Sequence, residues 1–148
     1  MADYASSAEA DTYFATRLNA SPWDDASSGN KAKAVTHATA SIDRLNFLGE
    51  KTVSTQANQF PRNDDTTIPQ DIQDACCEVA KALLDGVDPE MEIENLSMTQ
   101  MIYGPAKTTY DRSRIPEHIA HGIPSGVAWR ILKPYLRDAS AIQMMRVN

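Results

Sequence analysis

The chain has 148 residues, enough for one hydrophobic core with appended segments but not for two large domains. Its formal net charge is -6, unevenly divided: residues 1–106 carry 7 Lys and Arg against 17 Asp and Glu, whereas residues 107–148 carry 7 against 3. An acidic body argues against sequence-independent duplex binding, which rests on neutralising phosphates, and the two parts are expected to face different partners.

Cys76 and Cys77 are adjacent, and on a helix their side chains point about 100° apart, so a bond between them would be strained. A reducing, cytoplasmic assembly environment is the expectation. No apolar run approaches the roughly 20 residues that span a bilayer, and Met1-Ala2-Asp3 does not open a basic-then-apolar leader, so neither secretion nor membrane insertion is expected.

Ser6-x-x-Glu9 is a capping-box pattern, and Ala10, Phe14 and Leu18 follow at helical spacing with Tyr13 alongside, predicting a first helix over 7–19. Pro22 to Asp25 and Ser27 to Asn30 read as a polar turn. Val35, Ala38, Ile42 and Leu45 then mark a second helix that stops near Gly49. Residues 50–67 lack periodicity and read as a long surface connection pinned by Phe60. Pro69 suits the first turn of a third helix, whose apolar stripe is Ile72, Cys76, Val79 and Leu83 and whose stop is Gly86.

Asp85 to Glu94 is an acidic loop with five carboxylates, and Met98 to Tyr110 flanks Gly104-Pro105 as a hairpin or extended arm. Pro116, Gly122 and Pro124 break the next stretch. Ser125 can cap a last helix through Val127, Trp129, Ile131 and Leu132, shortened or kinked by Pro134. Ile142, Met144, Met145 and Val147 make the final residues apolar enough to dock on a neighbour. The expected fold is therefore mainly α: a small bundle of three to four helices with a β-hairpin or extended arm and a C-terminal docking tail. The division is a helical core over 1–97, a hairpin region over 98–124 and a helix with arm over 125–148. Phe14, Leu18, Val35, Ile42, Leu45, Ile72, Cys76, Val79 and Leu83 are the expected core.

His118 and His121, three apart and near Glu117 and Asp111, are the one arrangement with metal-ligand types, but the flanking Pro116 and Gly122 favour an ordinary loop, and no metal or cofactor is expected. The many carboxylates are accounted for by turns and helix ends. No phosphate loop, His-Glu-x-x-His pattern or nucleophile elbow is present, so the expectation is not an enzyme. In the last segment Arg130, Lys133, Arg137 and Arg146 alternate with Trp129, Tyr135, Met144 and Met145. Protein interfaces favour that mixture, intramolecular packing would also use it, and stacking on single-stranded nucleic acid employs similar residues. Arg112 and Arg114 extend the same basic surface.

The order of Tyr4-Ala-Ser-Ser-Ala-Glu-Ala-Asp11 with Tyr13-Phe14, then Gln59-Phe-Pro-Arg62, then Ile68-Pro69 with Leu83-Leu-Asp-Gly86, and Trp129 to Leu136 at the end, resembles one family over most of the chain. These motifs are similar to those of the head-to-tail adaptor, or head-completion, proteins of tailed bacteriophages, some of which carry the label DnaT-like single-stranded-DNA-binding. The resemblance implies a virion protein assembled in the host cytoplasm, forming a ring of adjacent subunits, a dodecamer to match the portal protein. Such a ring extends the channel for packaged double-stranded DNA and offers a platform to a tail-side protein. On that reading Trp129, Arg130, Lys133, Tyr135, Arg137, Ile142, Met144, Met145 and Arg146 face the portal. Asp88, Glu90, Glu92, Glu94, Met101, Tyr103 and Tyr110 face the tail side or the channel. The alternative is a single-stranded-DNA-binding module.

Overall fold

The computed structural model describes residues 2–97, 100–109 and 115–137. The protein is mainly helical: α1 (Ser7–Phe14), α2 (Ser21–Asp24), α3 (Ser28–Asp43), α4 (Gln70–Leu84), α5 (Pro89–Ser97), the strands β1 (Gln100–Tyr103) and β2 (Ala106–Thr109), then α6 (Glu117–Ala120) and α7 (Gly126–Leu132), which tightens into a 3-10 turn over Lys133–Tyr135. None of these helices is long and apolar enough to cross a membrane.

The centre is the pairing of α3 with α4, against which α7 packs. On α3 the buried face is Ala34, Val35, Ala38, Thr39 and Ile42, and the small alanines let α4 approach closely with Ile72, Ala75, Cys76, Val79 and Ala80. A fully buried isoleucine such as Ile42 or Ile72 contributes about 2 kcal/mol. Ala128, Trp129 and Leu132 of α7 complete the same cluster, so the core draws on chain from both sides of the hairpin.

The capping box forms as the sequence predicts, with Ser6 accepting from the Glu9 amide and Glu9 accepting from the Ser6 amide. The helix it opens ends at Phe14, earlier than the periodicity suggested. Leu18 therefore falls on the turn beyond, next to Asn19 at φ 59°, and is 89 % exposed, not in the core. Its place is taken by Trp23: the stretch read as a polar turn is the short α2, and its indole is fully buried 5.4 Å from Phe14 and donates to Asp11. Asp11 also accepts from Lys31, and these two hydrogen bonds, the lysine's first, hold its carboxyl below the usual carboxylate range. The other expected core residues lie in or against the cluster, with Leu83 half-buried.

Cys76 and Cys77 are free and buried, and burial pushes their thiols up to about 11 and about 12. Pro69 stands just before α4 as its N-cap residue, and Gly86 at φ 85° follows its end. The acidic stretch is not a loop: Asp88 accepts from the Glu90 amide and opens α5.

The connection from α3 to α4 is tied down from inside. Arg62, only 7 % exposed, engages all five of its N–H donors: Nε on Leu48 O, one terminal nitrogen on Gln59 O and Gln59 Oε1, the other on Phe47 O and Gly49 O. Gly49 at φ 75° is required there, since a Cβ would meet Asn63 Oδ1 at 1.7 Å. Tyr4 closes the other side. Its hydroxyl donates to Asp43 and accepts from the amides of Gln59, 3.1 Å, and Phe60, 3.3 Å, and burial and the neighbouring carboxylate raise its pKa strongly. Phe60 carries Tyr4, Phe47 and Tyr135 edge-on around its ring, and its bond to Pro61 is cis.

β1 and β2 form an antiparallel pair with Gln100 opposite Thr109 and Tyr103 opposite Ala106, turning through Gly104-Pro105. The two strands pack on each other and make no extensive contact with any described helix. Residues 138–148, with the expected docking residues Ile142, Met144, Met145 and Arg146, lie outside the described residues, as do Arg112 and Arg114.

A basic cleft as the candidate functional site

A cleft of about 660 Å³ opens between the end of α3 and the α6–α7 unit, lined by Arg44, Leu45, Asn46, Glu117, His121, Trp129, Lys133, Leu136 and Arg137. Its floor exists because two distant segments pair. Phe47 bridges Leu136 antiparallel, the Leu48 amide donates to Tyr135 O at 2.8 Å, and the Arg137 amide donates to Asn46 O at 3.0 Å. That clip sets Arg44, at the C-terminal end of α3, on the same opening as Arg137, whose Nε donates to Phe47 O.

The opposite wall follows from three local signals. Pro116 precedes the single turn α6, Gly122 at φ 77° ends it, and Ser125 accepts from the Ala128 amide to open α7. The two histidines thereby acquire different partners. His118 Nδ1 lies 2.8 Å from Ile123 O, holding the α6–α7 turn, while His121 stacks on Trp129 with centroids 5.0 Å apart and an interplanar angle of 16°. Glu117 accepts from Lys133 at 3.0 Å and from the Trp129 indole at 3.2 Å, and these bonds, the lysine's first, hold its carboxyl below the usual range. Among the described residues no group of three or more His, Cys, Asp or Glu side chains is arranged to hold a metal ion.

The lining carries Arg44, Lys133 and Arg137 against the single carboxylate of Glu117. Lys133 is engaged by Glu117; Arg44 and Arg137 make no ion pair among the described residues. Two available guanidiniums above an apolar floor of Leu45, Leu136 and Trp129 suit carboxylates or phosphates attached to an apolar group. The lining offers no nucleophile paired with a base.

Of the residues singled out from the last segment, Lys133 and Arg137 meet in this cleft, and Trp129, 7 % exposed, forms its inner wall and part of the core. Arg130 is exposed outside the lining, and Tyr135 is half-buried with its hydroxyl donating to Asp71 at 2.8 Å. Asp88, Glu90, Glu92 and Glu94 are exposed on or just before α5, Met101 and Tyr103 lie on β1, and Tyr110 lies outside the described residues. Arg44, Asn46 and Leu136 were not anticipated as site residues. Arg44 carried one signal, a cation just past the end of an amphipathic helix, where many surface arginines sit.

Fold and cleft together define a small, mainly helical protein with a basic cleft between the end of α3 and the α6–α7 unit. The chain belongs to a family whose model matches residues 2–147 and is described as "Putative DnaT-like ssDNA binding protein". No curated protein and no solved structure matches it.

Proposed function

We propose that the protein is a structural subunit of the head–tail neck of a tailed bacteriophage, an adaptor that assembles as a ring beneath the portal, extends the DNA channel and receives a tail-side protein. The observation that carries this reading is the hairpin of β1 and β2, which makes no extensive contact with the described helices of the core. An isolated two-stranded hairpin is marginal in water, so it gains its stability by packing on another molecule. The division of charge and the order of motifs from Tyr4 to Leu136 support the same assignment. On this reading the hairpin meets the tail-side protein, the residues after Arg137 meet the portal, and DNA passes along acidic walls that repel its phosphates. The protein has no catalytic turnover.

Quantitative peptide counting on purified particles tests it. A ratio of this chain to the portal protein near one is expected, and absence of the chain from particles overturns the reading.

The family description supports a second reading, a single-stranded-DNA-binding module using Arg44, Lys133 and Arg137 on phosphates. Against it stands the state of the tryptophan in the cleft: Trp129 is buried and His121 already stacks on it. A gel shift with tight binding that falls steeply with salt would favour this second reading.

A further inference from the structure

We infer that the basic cleft is one half of a contact between copies of this chain, and that its occupant is the acidic start of α5, Asp88 to Glu92, of the neighbouring copy. The inference rests on the ring reading and names which surfaces meet.

The two surfaces complement each other in charge and in apolar character. The cleft presents Arg44 and Arg137 over Leu45, Leu136 and Trp129. On α5 Pro89 and Ile93, four residues apart on one face, are half-buried, while Asp88, Glu90 and Glu92 are exposed around Met91, itself 61 % exposed. A methionine flanked by carboxylates fits an apolar floor flanked by guanidiniums, and Met and Arg are among the residues that interface cores favour. Asp88 and Glu90 of the same chain border a separate depression with His37, Ser41 and Gly122, and Arg44 lines both openings without an ion pair to either wall among the described residues.

A chain that carries an acidic knob and a basic cleft at different places on its surface associates head to tail. Such heterologous contacts close into a ring when the rotation between copies allows. The same charge arrangement rejects cleft-to-cleft pairing, where Arg44 and Arg137 would face each other.

The test uses the full chain carrying Arg137→Lys, which keeps the charge and supplies an amine. Unlabelled and nitrogen-15-labelled protein are mixed at high concentration and treated with a zero-length carbodiimide, and the linked peptides are sequenced. The expected product joins position 137 to Asp88, Glu90 or Glu92 in peptides that pair a light with a heavy chain. Links from 137 confined to one label, links to other acids, or no links between chains each overturn the inference. So does loss of the links on adding a single-stranded oligonucleotide, which would assign the cleft to nucleic acid. A charge exchange checks the same contact without chemistry. Arg44→Glu with Arg137→Glu in one chain, and Glu90→Lys with Glu92→Lys in another, should each weaken self-association by about tenfold or more in sedimentation, and their mixture should restore it. All four positions are exposed, and unchanged circular dichroism separates a lost contact from a lost fold. Peptide counting on particles decides whether a ring is present, whereas the cross-links decide which surfaces meet, so the two readings fail independently.

Discussion

The protein makes two excursions from its helices, and they are built on opposite plans. Between α3 and α4 the chain wanders without regular structure, yet it is fastened from within by Arg62 on the carbonyls of residues 47–49 and 59, and by Tyr4 on the amides of Gln59 and Phe60. Between α5 and α6 the chain forms a regular hairpin that makes no extensive contact with any described helix. Irregular backbone can therefore be the stable part and regular backbone the free part. What separates them is where their polar groups find partners: a loop folded over a buried arginine satisfies its carbonyls internally, whereas a hairpin can leave its outer edges to a neighbour.

The contrast is most directly broken at Arg62. Arg62→Met keeps much of the volume and removes every donor, leaving buried carbonyls without partners, and should lower unfolding free energy by about 3 kcal/mol in urea titration. The core beneath the loop offers a second probe through pH. The folded-state pKa values of Cys76 and Cys77, about 11 and about 12, lie above their ordinary value of 9.0, so the unfolded chain loses these protons first. Stability is then fully present below pH 9.0 and declines as pH rises toward the folded values, by roughly 1 kcal/mol per thiol at pH 10. Replacing both cysteines with alanine should flatten that alkaline limb. Tyr4→Phe leaves the ring in place and removes the hydroxyl between Asp43 and the two loop amides; about 1 kcal/mol should be lost, seen as a lower melting temperature. Replacing residues 98–111 with a Gly-Ser linker should change stability by less than about 0.5 kcal/mol, because the hairpin makes no extensive contact with the described helices, while abolishing the tail-side attachment proposed for it. A large stability loss there would place the hairpin in the fold and remove the contrast.

Helix starts were legible because the signals are local: Ser6 with Glu9, Ser125, and the stripe from Ile72 to Val79 all act within one or two turns. Helix ends were less so. Phe14 and Leu18 have helical spacing, but nothing in spacing announces that the chain turns at Ala15 and hands the core position to Trp23. The acidic run hid α5, since five carboxylates read as solvated loop until Asp88 is seen capping its first turn. The Gln59-Phe-Pro-Arg62 motif was visible as a pattern and opaque as physics, because Arg62 reaches carbonyls as far back as Phe47. The cleft was half visible for the same reason. Lys133 and Arg137 stood out in an arginine- and aromatic-rich segment, whereas Arg44 joins them only through the pairing of Phe47 with Leu136, a contact no window of local sequence contains.

That pairing also dictates an order of events during synthesis. The cleft takes its walls from residues near 44 and from residues 117 to 137, so more than seventy further residues must leave the ribosome after the first wall before it has its opposite. Contacts of such long sequence separation form slowly, after the local helices have assembled. A nascent chain can thus hold a formed α3 and α4 while the cleft still lacks the wall that residues 117 to 137 supply.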